Sequence, residues 1–271
     1  MTHSLYDEIG VGYSAYRRPD ERIAARINAA LGVSRTVLNV GAGAGSYEPV
    51  NRSVIAVEPS TEMLRQRSRT AARSIRASAD HLPFRGGSLD AALAILTIHH
   101  WSRWQQGLAE MKRVARDRVV VLTWDPRHTG FWLVQDYFSE ILEIDRAIFP
   151  SMDEIEKVVG PAEVQVVPVP DDCTDGFLGA YWRRPRAYLD SGVRGAISTF
   201  SKLKHTEAGL ARLRNDLGDG TWRNRYGSLL TQSELDVGYR LIIARHGLAC
   251  EPLAARCDRR TAQSEGWPSG G

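Results

Sequence analysis

The chain has 271 residues and a mass of 30.1 kDa, enough for one or two domains of ~150 residues and for a core that needs no covalent staples. Hydrophobic residues make up 43% and charged residues 25%, which excludes extensive disorder. The net charge is only +3 and no long basic run accompanies it, so neither nucleic acid nor a membrane surface is an expected partner. The three cysteines, Cys173, Cys250 and Cys257, are odd in number and lack metal-ligand spacing; free thiols in a reducing cytoplasm are expected. Residues 1–8 carry neither a basic start nor an apolar run, so no signal peptide is expected. The longest apolar stretch, 91–98, is far short of the ~20 residues a membrane span needs.

In chain order, short apolar runs at 36–40, 53–57, 74–77, 89–96 and 118–122 read as strands. Helical patterns lie between them, notably at 62–69 and 102–116. Strands alternating with helices predict an α/β fold whose mostly parallel sheet is covered on both faces. Two further strands are expected near 163–169 and 238–245. The stretches before and between them, 127–162 and 171–236, are too long for bare loops and read as helical cap or substrate-binding insertions. The polar end, 251–271, reads as a frayed tail, and there is no internal repeat.

The most informative stretch is Val37-Leu38-Asn39-Val40-Gly41-Ala42-Gly43-Ala44-Gly45-Ser46, a buried strand running into three alternate glycines. Glycine there lets the backbone turn sharply and lets a ligand approach it. The dinucleotide fingerprint needs a third glycine at its sixth position, where this chain has Ser46, or Glu48 in the register that starts at Gly43. The Gly-Lys-Ser/Thr of a Walker loop is absent too.

The stretch resembles motif I of the class I S-adenosylmethionine-dependent methyltransferases, a Rossmann-like fold with a seven-stranded sheet. Three later segments fit in order: Val57-Glu58-Pro59-Ser60, Ala77-Ser78-Ala79-Asp80-His81-Leu82-Pro83-Phe84, and Ser88-Leu89-Asp90-Ala91-Ala92. The resemblance spans roughly 37–122 and is nearest the small-molecule type 11 branch. It implies S-adenosylmethionine as cofactor, with Gly41, Ala42, Gly43 and Gly45 packing on its methionine and ribose portion. Glu58, next to Pro59, would hold the ribose diol. Asp80 would meet the adenine amino group beside His81, and Met63 would pad the ring or serve as an ordinary core contact. The segment with Tyr13, Arg17 and Arg18 resembles the N-terminal lid of such enzymes, here 1–35; Tyr13 would line the site and one arginine would pair with the methionyl carboxylate. The family's motif I strand usually carries an acid where this chain has Asn39, and that acid orients the glycine loop from below. Asn still offers an amide donor and a carbonyl acceptor, so binding should survive at lower affinity.

The segment after the fourth strand reads Ile95-Leu96-Thr97-Ile98-His99-His100-Trp101, unlike the Asp/Asn-Pro-Pro-Tyr/Phe of nucleic-acid amino methyltransferases. Only Asp125 is placed like the carboxylates of metal-dependent relatives, so no metal is expected. Histidine accepts a proton near neutral pH, and ligands of open α/β sheets sit at the strands' carboxyl ends. His100, with His99 as alternate, is therefore the expected base. Trp101, Phe131, Trp132, Phe177, Tyr181 and Trp182 suggest an aromatic substrate pocket, although helical caps also need aromatic cores. Arg183, Arg184 and Arg186 read as a solvated basic face. The expected function is metal-independent methyl transfer to a small-molecule O, N or C nucleophile; the alternative is a binding or non-methylating protein that retains the fold.

Overall fold

Alternating burial explains the sheet. The structure is a computed structural model and describes residues 16–246; Tyr13, Cys250, Cys257 and the expected tail lie outside them. The first five strands are β1 (Thr36–Val40), β2 (Ser53–Val57), β3 (Arg73–Ile75), β4 (Leu89–Ile95) and β5 (Ala115–Trp124). With β6 (Ala162–Val166) and β9 (Tyr239–Arg245) they form a seven-stranded sheet in the order β3-β2-β1-β4-β5-β9-β6. Neighbours from β3 to β5 run parallel, and β9 is antiparallel to both β5 and β6. Successive side chains on a strand point to opposite faces. Accordingly Val37, Ala91, Leu93, Val120, Leu122, Leu241 and Ile243 join one core cluster. Their neighbours Leu38, Ala92, Ala94, Val119, Val121, Ile242 and Ala244 join the other.

Eight α-helices complete the described chain: α1 (Glu21–Ala30), α2 (Thr61–Arg65), α3 (Trp104–Val114), α4 (Glu140–Ile148), α5 (Met152–Val159), α6 (Ser191–Gly195), α7 (Glu207–Gly218) and α8 (Thr221–Tyr226). Helices α3 and α5 supply Leu108, Met111, Val114, Ile155 and Val159 to the second cluster. Helix α1 supplies Ile23 and Ile27 to the first, together with Trp132, Trp182 and Tyr188 from the long late segments. Residues 21–30, expected within a lid, are therefore a layer of the core. Their apolar spacing of four along a helix already required a partner surface.

Two boundaries differ from the sequence expectation. The apolar run at 164–169 divides: β6 ends at Val166, and Val169–Pro170 forms β7, which pairs antiparallel with β8 (Glu234–Leu235) in a separate small sheet. Pro168 has no N–H for the main ladder, so the run cannot continue there. The helical pattern at 62–69 stops at Arg65, because Arg67 turns inward to a buried partner.

Asp20 ties the first helix to the late segment. Its side chain is almost wholly buried, accepts from the Arg22 N–H at 3.0 Å at the start of α1, and accepts from the Thr174 N–H at 3.2 Å. Burial alone would raise its pKa, but the hydrogen bonds to Arg22 and Thr174 outweigh that and lower it. Asp20→Ala should cost roughly 1–3 kcal/mol in denaturant unfolding, since one cap and one long-range bond go together. Asp20→Asn should cost less, and an Ala variant as stable as the parent would contradict this role.

Candidate active site

The glycine loop leaves β1 through a left-handed turn. Gly41 has φ +68°, and a Cβ there would lie 2.2 Å from Thr97 Oγ1, so no larger residue fits. The Gly41 and Ala42 N–H groups donate to the Val57 carbonyl at 2.8 and 3.0 Å, which holds the loop beside the end of β2. There Glu58 accepts from the Gly43 N–H at 2.8 Å through Oε2 and from the Ser60 N–H at 2.8 Å through Oε1. These two bonds hold the carboxylate at a cavity that Gly41, Ala42, Gly43, Pro59 and Met63 also line. Thr97, His100, Trp101 and Arg17 also line it.

Asn39, wholly buried beneath the loop, donates through Nδ2 to Glu48 Oε1 at 3.2 Å. Glu48 pairs with Arg67 at 2.7 Å, and their side chains are only 8% and 5% exposed. The remaining bonds satisfy the pair. Glu48 Oε2 accepts from the Ala72 N–H at 3.0 Å. Arg67 donates to the Gly43 carbonyl at 3.1 Å and to the Ala72 carbonyl at 2.9 Å. The carboxylate expected in the β1 strand is thus supplied from a neighbouring position, with a cation bound to it that grips the loop directly. The sequence reading missed Glu48 and Arg67 because neither lies in the motif.

A second cavity adjoins the first and shares Arg17 and Leu96 with it. Leu96 sits at the end of β4 with φ +49°, a conformation unusual for a side chain of its size. The strained turn leads into a short 3-10 helix, Ile98–His100, that sends the two histidines to different places. His100 lines the glycine-loop cavity and His99 lines the second. Trp124, Phe149, Phe177 and Tyr239 supply the second cavity's aromatic walls, and Asp145 of α4 supplies a carboxyl group.

Burial shifts the titration of these groups in opposite directions. Burial, with Lys202 and Arg17 adding repulsion, pushes His100 down to about 3. Burial also holds His99 well below the usual range, with His100, Lys202 and Arg17 contributing. Burial therefore favours the neutral form of both rings. Asp145 behaves oppositely: burial raises it to about 7, against opposing effects of Lys202 and of a hydrogen bond from Thr199. Sequence reading gave no hint of it, because one acid in an amphipathic helix looks like a surface residue.

Several expected site residues lie elsewhere. Gly45 turns the loop through its N–H bond to the Ala42 carbonyl but does not line the cavity. Arg18 is exposed, and Asp80 and His81 are also outside the lining; Asp80 is held by Ser78 and lies 3.4 Å from His81. Of the expected pocket aromatics, only Phe177 lines the second cavity, while Trp101 lines the first. Phe131, Trp132 and Trp182 are buried core; Trp132 Nε1 donates to the Trp182 carbonyl at 2.8 Å, and Trp182 Nε1 to that of Val169 at 2.9 Å. Tyr181 packs edge-on against Tyr188, with Arg184 over its ring. Arg183 pairs with Asp171, and Arg184 donates to the Cys173 carbonyl at 2.6 Å. Arg17 is bound to Asp175 at 2.5 and 3.3 Å, and Tyr47 donates to the same carboxylate at 2.9 Å.

Asp145→Asn gives a stability test with a definite sign. The folded pKa of about 7 exceeds the unfolded value of 3.8, so the folded state holds more protons between those limits. Stability therefore falls as pH rises from about 4 to about 7, and then levels off. The Asn variant should lack this loss. It should exceed the parent by roughly 1–3 kcal/mol at pH 8 and by little near pH 4. Parallel stability curves across that window would contradict the assignment.

A family model described as a methyltransferase domain matches residues 38–123. A solved structure of a putative methyltransferase from an antibiotic biosynthesis pathway of Anabaena variabilis is 33% identical, with a TM-score of 0.78. That match covers 84% of this chain and 98% of the other. Uncharacterized proteins of Mycobacterium tuberculosis and Mycobacterium bovis are 26% identical over 186 residues, 56% of this chain and 66% of theirs. A tRNA (carboxymethyluridine(34)-5-O)-methyltransferase of Xenopus tropicalis is 27% identical over 116 residues, 42% of this chain. The chain spans 18% of that protein's length. On the Anabaena likeness, together with the matching family model, the chain belongs to the class I S-adenosylmethionine-dependent methyltransferases of the type 11 branch, with S-adenosylmethionine as its cofactor.

Proposed function

We propose that the protein methylates a small molecule at an oxygen, nitrogen or carbon nucleophile, without a metal, and that it does so mainly by holding donor and acceptor in two adjoining cavities. The observation that carries this reading is the shared boundary, Arg17 and Leu96, between the glycine-loop cavity and the aromatic one. S-adenosylmethionine brings its own activation as a sulfonium, so the protein's task is placement and exclusion of water.

The residues present fit the cofactor. Glycine at 41 and 43 keeps the loop open where a Cβ would meet Thr97 or come within 3.2 Å of Met63. Glu58 is held ready for the ribose hydroxyls by two backbone bonds. Arg17 remains the choice for the methionyl carboxylate, since it lines the cavity and Arg18 does not. Its bond to Asp175 fixes the guanidinium at the boundary of both cavities. Among the described residues no group of three His, Cys, Asp or Glu side chains is placed to hold a metal ion. Asp125 instead accepts from the Arg127 N–H at 3.0 Å and lies 3.9 Å from Arg240. A small acceptor suits the second cavity, which is enclosed by side chains of four aromatic residues.

S-adenosylmethionine or S-adenosylhomocysteine at 100 times its dissociation constant should stabilise the fold by about 2.7 kcal/mol, read as a thermal shift. Glu58→Ala should remove most of that shift, because a buried charged acceptor contributes ~1.5–3 kcal/mol. A protein that shows no shift with either compound does not bind the cofactor, and the reading fails. A clear shift without methyl transfer to any small molecule would favour a binding protein that retains the fold.

A further inference from the structure

We propose that the second cavity takes a flat, apolar molecule carrying an acidic hydroxyl group, a phenol or an enol, and that Asp145 accepts the hydroxyl proton while His99 meets its oxygen. The proposal rests on the methyl-transfer reading above and narrows its acceptor to oxygen.

Shape comes first. Trp124 and Phe149 meet edge to face with centroids 5.7 Å apart, and Phe177 and Tyr239 lie 4.6 Å apart. Walls of this kind suit a flat ring. His99 belongs to the same wall, stacked on Phe149 at 4.1 Å and 22°.

The polar groups decide what the ring carries. Asp145 Oδ1 and His99 Nδ1 are buried with no hydrogen-bond partner among the described residues, and both residues line this cavity. A buried polar atom left unpaired is costly, so a ligand that supplies its partner binds with that gain. A hydroxyl group does both tasks: its O–H donates to Asp145, and its oxygen accepts from the neutral imidazole's N–H when that hydrogen is on Nδ1. A carboxylate ligand would bring a second negative charge to Asp145 and no donor. An ammonium ligand would bring a cation to a region where Arg17 and Lys202 already repel charge on both histidines. The same two cations favour the negative charge that develops on a phenol or enol oxygen as its proton leaves.

The proton has a place to go. The O–H bond breaks and its proton passes to Asp145; the oxygen forms the new bond to the methyl carbon, while the sulfur keeps the electron pair of the bond it loses. The sulfonium becomes a neutral thioether, and charge balances. Asp145 is suited to this by burial, which places its titration at about 7. The groups that face or act on it are Lys202, Thr199, His99, Arg17 and Tyr239.

The test is calorimetric binding of phenol, 2-naphthol, benzylamine and benzoate to the protein saturated with S-adenosylhomocysteine, at pH 6 and pH 8. The proposal predicts that phenol or 2-naphthol binds in preference to the amine and the acid. Their affinity should rise severalfold from pH 6 to pH 8 as Asp145 ionises. Asp145→Asn should keep S-adenosylhomocysteine affinity and flatten that pH dependence. His99→Phe should weaken phenol binding in the same complex. Preference for benzylamine or benzoate, a flat pH response in the parent protein, or silence from both phenols would overturn the proposal while leaving the methyl-transfer reading intact. Failure of S-adenosylhomocysteine itself to bind would overturn both.

Discussion

A buried ion pair that lies outside the glycine motif holds the site together. Three glycines in left-handed conformations make a loop that does not hold its own shape. Glu48 and Arg67 fix it from beneath: the guanidinium bonds the Gly43 carbonyl, and the carboxylate takes the Asn39 amide. Glu58 fixes the same glycine from its N–H side. A buried pair is stable only when its remaining donors and acceptors are satisfied, and here the Ala72 N–H and carbonyl satisfy them. Asn39 is thus more than a weakened acid. A carboxylate at that position would face Glu48 in a space with one arginine to serve both.

The end of β4 sets the rest of the geometry. Leu96 adopts a left-handed turn, and the following 3-10 helix separates two adjacent histidines into two cavities. Burial then favours the neutral form of both rings. The same burial lifts Asp145 into the range where a carboxyl group exchanges protons usefully. One physical effect, desolvation of the charged form, thus lowers both histidines and raises the carboxyl group.

Much of this was legible in the sequence, for reasons of periodicity. Strands Thr36–Val40 and Ser53–Val57 appear with the bounds their apolar runs suggest, because both faces of the sheet are covered and the runs are unbroken. The glycine loop and Glu58 were legible because backbone conformation demands glycine and a strand tip displays its next residue. Phe131, Trp132 and Trp182 were misplaced as pocket residues. Composition cannot distinguish an aromatic that lines a cavity from one that fills a core, and here indole N–H groups bond carbonyls inside that core. Asp145, Glu48 and Arg67 were illegible because their roles arise from contacts between segments far apart in the chain.

The central claim is that Asn39, Glu48 and Arg67 form one balanced charge arrangement beneath the loop. Its most direct test is the calorimetric affinity of S-adenosylhomocysteine for Asn39→Asp, with Asn39→Asp/Glu48→Gln alongside. The account predicts that Asn39→Asp binds more weakly, because two buried carboxylates then share one arginine, and that the second substitution restores most of the loss. An Asn39→Asp variant that binds as tightly as the parent, or more tightly, would contradict it.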